Sequence, residues 1–219
     1  MKSEQRHQLE TNVLADKLGK GIESTRSAFP FVFGGIAVVV IVGLIWGIYS
    51  GITTSKSALA WTDYYFKQTS SDADSFIDVA DANPNLPAGH WARFAAGINL
   101  LDRGIEAIYR NRSEGEELIG DAISSLEKVK DEATNLELRS KALLALGQAK
   151  ESLGKIEEAI DYYTQVTKNS TNPYLTSSAG ARLGFLSTDG GKEFYTWFTK
   201  LDPKPDAPIQ LPDDLKTPP

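Results

Sequence analysis

The 219-residue chain contains no cysteine, only two histidines and a net charge of -6 with no basic excess. Without thiols there can be no disulfide, no thiolate metal site and no cysteine nucleophile, a pattern that fits an oxidising compartment without proving one. His7 and His90 flank a long apolar run, so they cannot share a site if that run crosses a membrane. His90 has no second histidine at metal spacing, and a surface or capping role is expected for it. No stretch alternates with period two for long enough to read as a strand, so no glycine-rich phosphate loop can follow one. Carboxylates are plentiful, but Glu114, Glu116, Glu117, Glu157 and Glu158 read as solvated helix faces. No coherent set of nucleophile, base or metal ligands emerges. The expectation is a non-enzyme with no catalytic residue, no cofactor and no metal. The first 30 residues hold five Lys/Arg against four Asp/Glu, so the remainder sums to -7. That acidity argues against nucleic acid, which calls for a basic stripe.

Charge of either sign is missing from Ser27 to Ser55. Within this interval Phe31 to Tyr49 is a nineteen-residue apolar run, which as a helix spans about 28 Å, close to the thickness of a bilayer's hydrocarbon core. A helix satisfies its own backbone donors and acceptors, the condition for crossing lipid. A buried core helix is the first alternative, but such helices rarely run this long without a polar residue. A cleaved signal peptide is the second. Ala58-Leu59-Ala60 supplies an A-x-A, yet it lies nine residues past Tyr49 and the leader is thirty residues long. An uncleaved transmembrane helix at 31–49 is therefore expected, in contact with membrane lipid. Lys17, Lys20 and Arg26 precede it, and only Lys56 follows within a similar distance. The positive-inside bias then puts residues 1–30 in the cytoplasm and the rest across the membrane. Leu9, Val13, Leu14, Leu18 and Ile22 suggest an amphipathic helix in the tail, or a loosely ordered segment.

Beyond the span almost every signal is helical, and the fold class expected is all-α. Turn residues cluster at 83–89 and 169–173 and mark helix breaks. Trp91, Phe94, Ile98, Leu101, Ile105 and Ile108 recur every three or four residues as an apolar helix stripe. The last 18 residues, 202–219, hold six prolines and read as extended and unpacked. Gly43, Gly47 and Gly51 stand four apart, a double G-x-x-x-G that lets a second helix approach a membrane span; a lipid-facing glycine face is the other reading.

A repeat search gives the most specific pattern. Leu143-x-x-Leu146-Gly147 is followed twelve residues later by Ala159, then Tyr163 and Val166, with Gly154 at a turn and Pro173 closing the unit. This resembles the tetratricopeptide repeat, a helix–turn–helix of 34 residues, over 140–173; Lys150 departs from the family's usual aromatic. A weaker unit at 53–86 carries Leu59, Ala60, Phe76, Val79 and Pro84, with Asp72 in place of an alanine. Another at 90–137 matches through Ala96-Gly97, Ala122, Leu126 and Val129, but with thirteen extra residues. Shared between two arms, they lengthen each helix by roughly 10 Å. Helices within 174–201 are expected to cap the open end, with Phe194, Tyr195, Trp197 and Phe198 sealing the last repeat. The whole is read as one tetratricopeptide-like solenoid domain, 53–201.

A short tail, one N-terminal span and such a domain together resemble a family of bacterial inner-membrane-anchored tetratricopeptide-like proteins that includes the ancillary subunit of the Sec translocation channel. The resemblance implies a single-pass inner-membrane protein with a periplasmic domain. The partners it implies are translocon subunits and exported or partly unfolded polypeptides. Transferred position by position, the family's inner groove would be lined by Trp61 and Tyr64, by Trp91, Phe94, Ile98 and Leu101, and by Lys141, Leu144, Gln148 and Glu151. An aromatic groove with a polar rim suits an extended chain, although the same residues could pack on the preceding helix. A membrane-tethered binding scaffold or chaperone-like accessory is the leading function. A structural assembly subunit that only oligomerises and a regulator acting through the cytoplasmic tail are the alternatives. Asn111-Arg112-Ser113 and Asn169-Ser170-Thr171 fit the glycosylation acceptor pattern, which is short enough to arise by chance.

Overall fold

The computed structural model describes residues 19–21, 23, 29–69 and 72–205. His7, the five apolar residues of the expected amphipathic helix, and residues 206–219 of the proline-rich segment lie outside them. The described residues are helical, with no strand among them. In order the helices are α1 (Phe29–Lys67), α2 (Ala73–Ala82), α3 (Pro87–Ile108), α4 (Arg112–Glu132), α5 (Leu136–Ser152), α6 (Ile156–Asn169), α7 (Pro173–Ser187) and α8 (Asp189–Phe198). The chain divides into two compact units, Met1–Ser55 and Lys56–Pro219.

The first unit holds the apolar part of α1. The stretch from Phe33 has a mean hydropathy of 2.2 over its most apolar window, none of which is buried. One helix is thus long and apolar enough to cross a membrane. Val38, Val39, Val40, Ile41 and Val42 are all exposed; five consecutive β-branched residues restrict χ1 and are poor helix formers in water. Past them Thr53 and Thr54 turn their hydroxyls back onto the Tyr49 and Ser50 carbonyls, at 2.8–3.1 Å.

In the second unit the helix boundaries follow from caps. Asp72, Asn111, Asn135, Asn172 and Thr188 each accept a backbone N–H from the first turn of the helix they open. Pro87 and Pro173 occupy first-turn positions, where a missing N–H costs nothing. Each helix from α2 to α8 packs on the next, and α5 also touches both α3 and α7. The pairing of α3 with α4 is antiparallel. Positions Gly97, Gly104 and Ile108 of α3 meet Leu126, Ile119 and Gly115 of α4 in reverse order.

Three apolar clusters result. Tyr64, Phe76, Val79, Ala92 and Ala96 join α1, α2 and α3. Leu101, Ile119, Leu126, Leu138 and Leu146 join α3, α4 and α5. Leu143, Ala159, Tyr163, Val166 and Leu175 join α5, α6 and α7. Within the last, Gly147 sits where α5 crosses α6; a Cβ there would lie 2.6 Å from the Tyr163 ring, so only glycine permits this approach. The turn between these helices is Gly154, whose φ of 72° lies in the left-handed region.

The α3–α4 hairpin is the long one. Its helices have 22 and 21 residues, against 17 and 14 in α5 and α6. Sequence reasoning expects the capping helices 174–201 to cover the open end of the stack. α7 packs on α6, but α8 does something else. Phe198 joins the cluster of α3, α4 and α5 and stands edge-on to Tyr109 at 6.2 Å. Thr199 lies against Gly154, and Arg112 holds the carbonyls of Phe198 and Leu201 at 3.2 and 2.7 Å. α8 thus runs back across the turns of two hairpins. The physical reason is the overhang: the projecting α3–α4 turn presents Tyr109 and the Arg112 guanidinium to the end of α8.

Candidate functional site

Two concavities border the same ridge of α3. One, of about 320 Å³, is lined by Tyr64 and Gln68 of α1 and its following turn, Phe76 of α2, and Trp91, Phe94, Ala95, Ile98, Asn99 and Asp102 of α3. The other, of about 480 Å³, lies between Phe94 and Ile98 of α3, Glu137, Lys141, Leu144, Ala145 and Gln148 of α5, and Asn172, Tyr174 and Leu175 at the start of α7. Phe94 and Ile98 belong to both, so the two basins form one groove with a central apolar crest.

Its walls are aromatic and its rim is charged. Trp91 stands edge-to-face with Phe94 at 6.1 Å. The Lys141 ammonium lies 5.0 Å over the Trp91 ring, a cation–π contact, and also pairs with Glu137 at 3.2 Å. The Asn172 amide donates to the same carboxylate at 3.4 Å, which ties the rim of α5 to the start of α7. Tyr174 is three-quarters exposed at the mouth.

Of the ten residues expected to line a groove, Tyr64, Trp91, Phe94, Ile98, Lys141, Leu144 and Gln148 line these basins. Trp61 lies behind Tyr64, edge-on at 5.6 Å and stacked on Tyr65 at 5.8 Å. Leu101 and Glu151 are buried. Both follow a groove residue (Ile98, Gln148) by three positions. Three residues turn a helix by about 300°, which carries Leu101 into the core between α4 and α5 and Glu151 onto α6. Sequence reasoning misses Phe76, Asp102, Glu137, Asn172 and Tyr174. A signal existed for the last two: Asn172-Pro173 opens α7, so Tyr174 falls on its first turn.

Glu151 organises a different constellation, a clasp on α6, α7 and α8. Its carboxylate accepts the Tyr163 hydroxyl at 2.6 Å and the Arg182 Nε at 3.1 Å, and it is bonded as well to Arg182 Nη2 and the Tyr195 hydroxyl. Burial pushes the carboxyl up, but the bonds from Arg182, Tyr163 and Tyr195 outweigh it and hold the group below the usual carboxylate range. Burial and the same carboxylate raise both tyrosine hydroxyls, and the carboxylate keeps Arg182 charged. The clasp thereby ties α5 to α6, α7 and α8.

The remaining sequence-derived positions are simple to place. Gly43, Gly47 and Gly51 lie on α1, where an added Cβ would meet nothing within 4 Å. His90 is buried at the start of α3, its Nε2 2.9 Å from the Pro84 carbonyl, where it closes the α2–α3 turn. Asn111 caps α4 with its side chain. Among the described residues no group of three or more histidines and carboxylates is placed to hold a metal ion.

Fold and site define an all-helical chain with one membrane-length apolar helix and an aromatic groove between successive hairpins. Comparison with family models, curated proteins and solved structures gives no match.

Proposed function

We propose that this chain is a membrane-tethered protein-binding scaffold whose α3–α5–α7 groove holds extended or partly unfolded polypeptide. The observation that carries the reading is the groove itself: Trp91, Phe94 and Ile98 form an apolar crest between two basins, rimmed by Lys141, Glu137 and Asn172. Rigid aromatic side chains offer contact area at low entropy cost, and the rim groups can meet a peptide's backbone. The hairpins themselves read as a tetratricopeptide-like solenoid. Support comes from the antiparallel pairs, from Gly147 against Tyr163, and from the contacts of α5 with both α3 and α7.

The tether reading rests on the uncharged interval in α1 and its exposed β-branched run, whose cost in water disappears where an unpaired backbone group is costlier still. The flanking cations favour a cytoplasmic N-terminus, hence an inner membrane with the domain on its periplasmic face. The resemblance to the Sec-associated family makes the translocation channel the first partner to test. Anchoring would raise the local concentration of a modest-affinity groove beside emerging chains. A second reading, an assembly subunit, has one observation in favour. The outer side of α7, with Ser177, Gly180, Ala181 and Gly184, is exposed and uncharged.

A photo-crosslinker in place of Leu144 in the membrane-embedded chain tests both. Capture of an exported polypeptide during its translocation is expected, weakened roughly tenfold by Phe94→Ala, the loss typical of a central aromatic anchor. Capture of other copies of this chain alone would replace the scaffold reading with assembly.

A further inference from the structure

The two basins of the groove differ in charge. On the rim of the larger one the Lys141 ammonium pairs with Glu137 at 3.2 Å and lies 5.0 Å over the Trp91 ring. That cation is therefore matched within the chain, by a carboxylate and an aromatic face together. The smaller basin, of about 320 Å³, holds the same two partners without the cation. Tyr64, Phe76, Trp91 and Phe94 supply aromatic walls and Asp102 a carboxylate, but its lining contains no lysine, arginine or histidine.

Neighbouring carboxylates are answered: Asp81 pairs with Arg93 at 2.5 Å, and Glu106 with Arg110 at 2.6 Å. Asp102 differs from them. Among the described residues no cation pairs with it and no donor bonds to it, and burial against the basin wall pushes its carboxyl up. A carboxylate that gives up water without gaining a partner is costly, and an incoming cation supplies what is missing. The walls favour the same guest. Ring faces attract cations, and lysine and arginine lay their aliphatic stems along apolar surface. Spacing follows from the helix. Asp102 lies six residues beyond the middle of the Phe94–Ile98 crest, about 9 Å along α3. A polypeptide in polyproline geometry covers that distance in about three residues, which is one full turn and returns its side chain to the same side.

We propose that this basin takes the lysine or arginine side chain of a bound polypeptide, its charge at Asp102 and its stem on Phe94 and Ile98. The groove then selects segments in which a basic residue stands about three positions from a large apolar one. The inference rests on the reading of the groove as a polypeptide-binding site.

The test uses the full chain in detergent micelles and three end-blocked peptides, Ser-Phe-Ser-Thr-X-Ser-Thr-Phe-Ser, in which X is lysine, norleucine or glutamate. Phenylalanine stands three positions to either side of X, so both chain directions satisfy the spacing. Titrations read by polarisation of a neutral fluorophore should give the lysine peptide a Kd roughly tenfold below that of the norleucine peptide, with glutamate weakest. Asp102→Asn should bring the lysine-to-norleucine ratio to about one, and Asp102→Lys should invert the order of lysine and glutamate. Asp121→Asn removes the same charge from an exposed position on α4 and should leave the ratio as it was. That control separates recognition at the basin from general attraction to a chain of net charge -6. Equal affinities for lysine and norleucine, a preference that survives Asp102→Asn, or one that falls as far with Asp121→Asn would overturn the proposal. Phe94→Ala reads the groove itself and should weaken all three peptides roughly tenfold. Equal affinities that Phe94→Ala still weakens sink the basic-residue preference alone, whereas peptides that fail to bind, or that ignore Phe94→Ala, sink the groove reading with it.

Discussion

Glycine to alanine in the middle of a helix ordinarily stabilises a protein by about 1 kcal/mol, because it narrows the unfolded ensemble. This fold contains two helical glycines for which the same change should have opposite signs. At Gly147 a Cβ would lie 2.6, 2.7 and 3.0 Å from three carbons of the Tyr163 ring. Carbon atoms prefer about 3.5–4.0 Å, so the ring must retreat by about 1 Å. It has little room, since Tyr163 is fully buried and its hydroxyl is bonded at 2.6 Å to Glu151. Retreat either strains the core, at about 1–3 kcal/mol, or stretches a bond inside the clasp, at about 1–3 kcal/mol more. After the propensity gain, Gly147→Ala should destabilise by about 2 kcal/mol. At Gly180, exposed in the interior of α7, a Cβ meets nothing within 4 Å; Gly180→Ala should stabilise by about 0.5–1 kcal/mol. Urea titration of the full chain in micelles, followed by helical circular dichroism, measures both. A Gly147→Ala variant as stable as its parent, or two variants that shift in the same direction, would refute the crossing geometry of α5 and α6.

The Glu151 clasp predicts a pH dependence. Its folded-state carboxyl titrates below the ordinary carboxylate value, so its contribution is fully present above that value, near pH 4–5, and is lost as pH falls through the lower folded one. Glu151→Gln should therefore be less stable than the parent at pH 7 by about 2 kcal/mol, the low end for a buried pair because Arg182 is partly solvated. The gap should narrow as pH falls below the ordinary carboxylate range and close below the folded value; parallel acid limbs in the two unfolding profiles would contradict the assignment. At the α3–α4 turn, Arg112→Met removes two guanidinium bonds to carbonyls and a cation over the Phe198 ring at 5.5 Å. Local opening of 198–205 should increase trypsin cleavage after Lys200 by roughly tenfold, with little change in global unfolding. A cleavage rate equal to the parent's would mean that Arg112 does not hold this segment.

How much of this was legible in advance depends on the reach of each signal. Turn residues at 83–89 and 169–173 act within a few positions, and the helices do end at Ala82 and Asn169 and restart at Pro87 and Pro173. The short hairpin of α5 and α6 was legible from the spacing of Leu143, Leu146, Gly147, Ala159 and Tyr163, but that Gly147 meets the Tyr163 ring was not. The groove was half legible: the i, i+3, i+4 stripe finds Trp91, Phe94 and Ile98, but periodicity does not say where the exposed strip ends. One further step of three therefore carried Leu101 and Glu151 into the core. The path of α8 was not legible at all, since Arg112 and Phe198 are 86 residues apart and no local pattern links them. Yet that contact goes with a feature of the hairpins themselves, the 22 and 21 residues of α3 and α4 against 17 and 14 in α5 and α6. A hairpin longer than its neighbours exposes the sides of its final turns, which need covering. An aromatic helix at the far end of the chain, Phe194-Tyr195-Thr196-Trp197-Phe198, supplies the cover. Long hairpin and aromatic helix are thus two halves of one device. Shortening α3–α4 to the length of α5–α6 should leave α8 without its seat while α5, α6 and α7 keep theirs.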